Sequence, residues 1–155
     1  MANEPMTALP DELHEQLQRE TLVLLHTIDA KSGIPTSSAI SWVKALDRET
    51  VRVALDRRSR LVANMKANPK VTLTVFGAGS VFAVNGNAVL AADEMEGVPF
   101  KLSCFDIRVE FVRDAMFYGA RLSAEPAYEK IYNKAAAEKL DAQVFAAFEA
   151  LPKKA

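Results

Sequence analysis

Between residues 51 and 56, Val51, Val53 and Leu55 alternate with Arg52, Ala54 and Asp56, and between residues 71 and 76, Val71, Leu73 and Val75 alternate with Thr72, Thr74 and Phe76. That period of two predicts a pair of half-buried strands. Between them, Leu61, Val62 and Met65 form the apolar stripe of a short helix. Asp56 or Ser59 can cap it, and Pro69 ends it by disfavouring helical geometry at Asn68. The unit reads strand, basic turn, helix, strand, with Ser59-Arg60 at its centre. A helix start offers free N–H groups and the positive end of a dipole, and Arg58 or Arg60 adds a charge-assisted donor, so this turn is a candidate anion site.

Elsewhere the pattern predicts more strand than helix. Leu9, Leu13 and Leu17 recur every fourth residue behind Pro10, which suggests a short amphipathic helix over about residues 9–20. The apolar run at residues 21–28 reads as a buried strand closed by the turn Lys31-Ser32-Gly33. Residues 36–46 read as one further strand, and residues 81–90 as another, with a bulge at Asn85-Gly86-Asn87. Residues 91–101 allow at most a short helix. Ile107, Val109 and Phe111 mark the last strand, which residues 115–118 extend. From Pro126 onward, Tyr128, Ile131, Tyr132, Leu140, Val144, Phe145 and Phe148 recur at helical spacing, with breaks expected near Asn133 or Asp141. About six short strands joined by tight turns favour a closed or nearly closed antiparallel barrel over a parallel sheet.

Composition narrows the function classes. A chain of 155 residues, half of them apolar, fits a single domain, 1–155. A formal charge of −1 lacks the concentrated basic face that nucleic acid requires. The lone cysteine, Cys104, cannot form an internal disulfide, and no apolar run reaches the ~20 residues of a spanning helix. The residues at the N-terminus lack the features of a signal peptide, so a soluble cytoplasmic protein without membrane contact is expected. With two histidines and one cysteine, no metal-ligand cluster is expected. Gly77 and Gly79 resemble the start of a dinucleotide fingerprint, but a strand follows them where that motif needs a helix.

The order of Thr27-Ile28-Asp29-Ala30-Lys31-Ser32-Gly33-Ile34-Pro35, a strand to Trp42, Ser59-Arg60 and then Asn68-Pro69-Lys70-Val71 resembles the pyridoxamine 5′-phosphate oxidase-like family of FMN-binding split barrels. The resemblance spans about residues 22–86. It implies a mainly β, six-stranded antiparallel split barrel with a core at about residues 21–118, short flanking helices and a C-terminal helical segment at about 126–150. It also implies a homodimer and FMN in a groove between its subunits. Carried over by position, Ser38, Ala39, Ile40 and Ser41 line the flavin ring, Ala54, Leu55 and Asp56 lie along the ring and ribityl chain, and Ser59, Arg60 and Leu61 hold the phosphate. Ser38, Leu61 and Val81 stand where the vitamin B6 oxidases commonly carry arginine, lysine and glutamine, and their C-terminal Trp and Arg signature is absent. Pyridoxamine phosphate oxidation is therefore not expected.

The function implied is an FMN-dependent oxidoreductase passing hydride or electrons between a reduced nicotinamide or small reductant and an unnamed acceptor, with no catalytic residue assigned. The alternative is a non-catalytic dimer that binds flavin, haem or a deazaflavin, or is structural. Read without the resemblance, Arg57, Arg58 and Arg60 form a solvated basic turn, Ser59 is an N-cap, His26 is a hydrogen-bonded core histidine, His14 is solvated, Cys104 is a small buried hydrophobe and Trp42 is core. Phe117 and Tyr118 read as strand packing, with an aromatic lid over flavin as the sharper option.

Overall fold

The computed structural model describes residues 5–154. Helix α1, Asp11–Gln16, leads into strands β1, Val23–Ile28, β2, Pro35–Ile40, β3, Val43–Asp47, and β4, Thr50–Asp56. Helix α2, Arg60–Ala67, is followed by β5, Lys70–Gly77, β6, Ser80–Ala92, and β7, Leu102–Asp114, and the chain closes with α3, Lys134–Ala150. All strand pairs are antiparallel, in the order β2-β1-β5-β6-β7-β4-β3. This is a split barrel whose two edges, β2 and β3, are consecutive in the chain.

The expected strand at residues 36–46 is thus two strands, and the sheet has seven rather than six. Ser41 and Trp42 carry the chain from one edge of the sheet to the other. Ile40 and Val43, three residues apart, both pack into the barrel core, so the inward phase of the alternation shifts where the chain crosses. The asparagine-glycine bulge is where it was expected: the β6–β7 register shifts between Asn85 and Gly86. A Cβ on Gly86 would lie 2.3 Å from the Arg108 carbonyl oxygen, so the close approach of the two strands requires glycine.

The barrel interior is filled by Val23 and Leu25, Val43 and Ala45, Val51, Val53 and Leu55, Leu73 and Val75, Val84 and Ile107, all buried. Leu9, Leu13 and Leu17, at and around α1, and Val62 and Met65 of α2 join this core. A second apolar cluster lies outside the barrel wall, where Val144, Ala147 and Phe148 of α3 cover Ala54, Leu102 and Cys104.

Two helical expectations, the extent of α1 and the start of α3, are corrected, while residues 91–101 stay within the limit of at most a short helix. Helix α1 spans six residues rather than residues 9–20. Residues 91–101 contain no helix, and α3 begins only after Asn133, whose side chain accepts the Ala136 N–H at 3.0 Å and so sets the helix start. No break occurs at Asp141. Tyr128, Ile131 and Tyr132 precede the helix and are exposed, and residues 115–118 leave the sheet, with Phe117 and Tyr118 74% and 96% exposed. Their spacing matched a helix and a strand, but these apolar side chains stay largely in water, the segment before α3 being held by polar contacts of Tyr128 and Lys130 with Glu20 and Asp141.

Candidate functional site

Helix α2 and the turn before it are built by short side chains. Asp56, at the end of β4, accepts the Arg58 N–H at 2.8 Å, and its carbonyl accepts the Ser59 N–H at 2.8 Å. Ser59 is the N-cap, with its Oγ accepting the Leu61 N–H at 3.1 Å. Of the two caps the sequence allowed, serine takes the helix and aspartate takes the turn. An anion reaching Leu61 N–H would share it with Ser59, as a serine cap permits.

A buried asparagine ties the helix to the opposite side of the barrel mouth. Asn64 Oδ1 accepts the Ala30 N–H at 2.9 Å, and its Nδ2 donates to Thr27 Oγ1 at 3.0 Å. Thr27 Oγ1 in turn lies 2.9 Å from Thr36 Oγ1 on β2. This chain of bonds fixes the start of α2 relative to the β1–β2 hairpin. Sequence reasoning missed Asn64, although an asparagine among the apolar positions of a helix, where its propensity is poor, was the available signal.

The exposed Arg60 makes no ion pair within 4 Å among the described residues. It faces the hairpin turn closely enough to act on Asp29, whose carboxyl is held below its ordinary pKa first by the Ser32 N–H, then by the Ser32 hydroxyl and the Lys31 N–H, with Arg60 a smaller influence. A cation with no committed partner beside a capped helix start is what phosphate binding needs.

Strand β2 is an edge, so backbone groups along one side of Ser38, Ala39 and Ile40 have no ladder partner among the described residues. Alternation separates their side chains. Ser38 pairs with the core residue Leu25 and Ile40 with Val23, which puts both toward the interior, while Ala39 is exposed on the outer face and Ser41 follows the strand end. Leu55 is buried in the barrel core and Ala54 beneath α3, leaving Asp56 as the accessible side chain of that trio. The carried-over residues therefore divide into an accessible set, Ala39, Ser41, Asp56, Ser59 and Arg60, and a set that supplies backbone or packing.

Other candidates acquire definite places. Trp42 is half-buried against the outer cluster and donates its indole N–H to Asp141 Oδ1 at 2.8 Å, so it faces α3. Burial pushes the Cys104 thiol up to about 12, which leaves no thiolate for nucleophilic work. His26 is half-buried on the outer face of β1, 2.7 Å from Thr74 Oγ1, and lines a cleft of about 350 Å³ with Thr72, Asn85 and Phe111. Burial lowers its pKa, so the imidazole is neutral at pH 7. No group of three His, Cys, Asp or Glu among the described residues could hold a metal ion, and no helix among them is long and apolar enough to cross a membrane.

Solved structures share this architecture. An F420 reductase superposes with a TM-score of 0.57 at 19% identity, covering 68% of this chain and 98% of its own. A candidate pyridoxamine 5′-phosphate oxidase of Lactobacillus delbrueckii gives 0.59 at 19%, covering 70% and 95%. The HupZ protein of Group A Streptococcus gives 0.52 at 17%, covering 70% and 90%. At such identities the likeness is one of fold, and no curated protein matches the chain in sequence. The family profile described as pyridoxamine 5′-phosphate oxidase, however, matches residues 9–103, from the start of the core through β1 to β6 and the α2 turn. On that match the chain belongs to the pyridoxamine 5′-phosphate oxidase family.

Proposed function

We propose that the protein is a cytoplasmic FMN-binding oxidoreductase, working as a homodimer, that moves hydride or electrons between a reduced nicotinamide or small reductant and a separate acceptor. One observation carries the reading. The uncommitted cation Arg60, at the serine-capped start of α2, is tied through Asn64, Thr27 and Thr36 to a free β-edge bearing Ala39 and Ser41. These residues fit FMN at both ends: a phosphate at the helix start, and a flat ring against backbone groups and small side chains. Bound FMN would supply the redox chemistry, which is why the site needs no triad of its own.

The chain's residues would hold and orient. Arg60 and Ser59 take the phosphate, Asp56 lies beside the ribityl chain, and the free edge at Ser38, Ala39, Ile40 and Ser41 presents N–H and C=O groups to the ring. Orientation of donor and acceptor then provides most of what the protein contributes to hydride transfer. Ser38 and Leu61 stand where the vitamin B6 oxidases commonly carry arginine and lysine, which leaves the FMN phosphate to Arg60, Ser59 and the Leu61 N–H and argues for a substrate other than pyridoxamine 5′-phosphate.

The visible spectrum of the purified protein tests the assignment. Flavin absorption, or its appearance on titration with FMN, is expected; a Soret band in its place would overturn the reading in favour of haem. Arg60→Ala should cost about 1.5–3 kcal/mol of FMN affinity, the scale of a hydrogen bond to a charged group, and leave riboflavin binding nearly unchanged. Equal losses for the two ligands would place Arg60 away from the phosphate.

A further inference from the structure

Beside the start of α2 lies a groove of about 540 Å³ lined by Asp56, Arg57, Arg58, Phe100 and Lys101. Its far wall, the segment between β6 and β7, is pinned. Arg57 N–H donates to the Lys101 carbonyl at 2.9 Å, Met95 N–H to the Leu102 carbonyl at 2.7 Å, and Ser103 Oγ to the Asp93 carbonyl at 2.6 Å. The Arg57 guanidinium lies 2.8 Å from the Asp93 carboxylate and 3.7 Å from that of Glu94. Arg57 is thus spent on holding the wall.

What that wall displays is unusual for open surface. Phe100 is 58% exposed on an anchored segment, an apolar area that the fold leaves in water. The Arg58 side chain is 91% exposed, with only Asp56 at 3.5 Å as an ion-pair partner, and the exposed Lys101 has none within 4 Å among the described residues. Three cations meet one carboxylate in the lining, and that carboxylate already accepts the Arg58 N–H.

We propose that this groove holds the adenosine-phosphate end of a dinucleotide, with the base stacked on Phe100 and the phosphates between Arg58 and Lys101. The combination selects the ligand class. An acidic peptide would use the cations and leave Phe100 in water, and an apolar molecule would use Phe100 and leave the cations unpaired. A planar base bearing phosphates satisfies both. The groove shares Asp56 and the α2 turn with the proposed flavin site, and on that reading the adenosine phosphate belongs either to an extended flavin, FAD, or to a nicotinamide dinucleotide acting as reductant.

Calorimetric titration of the full chain with ADP and, separately, with inorganic phosphate tests the groove itself. Phe100→Ala should weaken ADP about tenfold, the usual scale of one base–aromatic stack, and leave phosphate unaffected. Arg58→Gln combined with Lys101→Gln should weaken both. Both sites are exposed, so the fold should survive, and circular dichroism checks it. Failure of ADP to bind, or equal ADP affinity in Phe100→Ala, would overturn the proposal. FMN titration separates this from the flavin reading: binding of ADP without FMN leaves the groove standing and sinks the flavin site. FAD binding tighter than FMN, with the advantage lost in Phe100→Ala, assigns the group to the flavin. A raised KM for NADH with unchanged kcat in that variant assigns it to the reductant.

Discussion

Arg52 shows most plainly how one residue can hold two parts of this molecule together. Its Nε and Nη2 donate to Asp106 Oδ1 and Oδ2 at 2.6 and 2.9 Å, and both side chains are fully buried. The same guanidinium donates to the carbonyls of Phe148 at 2.8 Å and Pro152 at 2.9 Å and also to that of Leu151, so it serves the C-terminal end of α3, where a helix dipole favours positive charge. Arg52→Met would leave Asp106 as a buried charge without its partner. It should destabilise the fold by about 3–5 kcal/mol in urea unfolding, while Arg52→Met with Asp106→Leu should recover much of that loss. His26 makes the second prediction at this scale. Its folded pKa lies below the ordinary 6.5 because burial disfavours the charged ring, so the unfolded chain takes up the proton first. Stability should therefore be fully present above about pH 6.5 and decline as pH falls toward the folded pKa, a slope that His26→Gln should remove. On the proposed flavin reading, turnover per bound flavin should hardly change in that variant. A rate profile that lost one limb at unchanged flavin occupancy would instead make His26 a proton carrier.

Among the elements, the β5–β6 hairpin carries a correctable strain. Gly77 pairs with Ser80, so the loop is the two residues Ala78 and Gly79, and both have positive φ, 53° and 72°. Such a turn suits asparagine-glycine, whereas alanine brings a Cβ into the left-handed region. Ala78→Asn should raise stability by about 0.5–1 kcal/mol, read as a higher urea midpoint with unchanged slope. Strand β4, helix α2 and the bulge at Gly86 were legible in the sequence because local chemistry alone dictates them. Ser59 as cap followed for the same reason. Contacts made far along the chain were not legible. Alternation placed Arg52 on a polar face, and only the arrival of α3 turns that face into an interior. Residues 36–46 read as a single strand, with Ile40 and Trp42 on one side and Ala39, Ser41 and Val43 on the other, and only the sheet order shows that Ser41 and Trp42 cross between its edges. Phe100 and Lys101 entered no sequence-based site because their partners in the groove, Arg57 and Arg58, lie more than forty positions away.

At the scale of the whole molecule, the two halves of the sheet are treated differently. Helix α3 covers the outer face of β4 and the first part of β7, while no helix among the described residues covers the outer face of β1, β5 and β6. Leu24, His26, Thr72, Thr74, Phe76, Val81, Ala83 and Asn85 lie there, each half-buried by its neighbours, with Phe111 beside Asn85 and Phe117 and Tyr118 exposed in the segment after β7. A sheet face meant for water carries charged residues at alternate positions; apart from Lys70 at the start of β5 and Arg113 beside Ala83, this one carries aliphatic, aromatic and small polar groups, the composition of a packed surface. A second copy applying the same face about a twofold axis would cover both faces at once, as an isologous contact does. Sedimentation equilibrium at micromolar concentration should accordingly give a dimer. Val81→Lys would place two like charges near that axis or against its opposing surface and should shift the protein toward monomer, with circular dichroism unchanged because Val81 lies outside the barrel core. If the proposed flavin groove is completed by the partner, the same variant should lose FMN in proportion to the monomer formed. A wild-type monomer at these concentrations would remove the interface and require the flavin site to be complete within one chain.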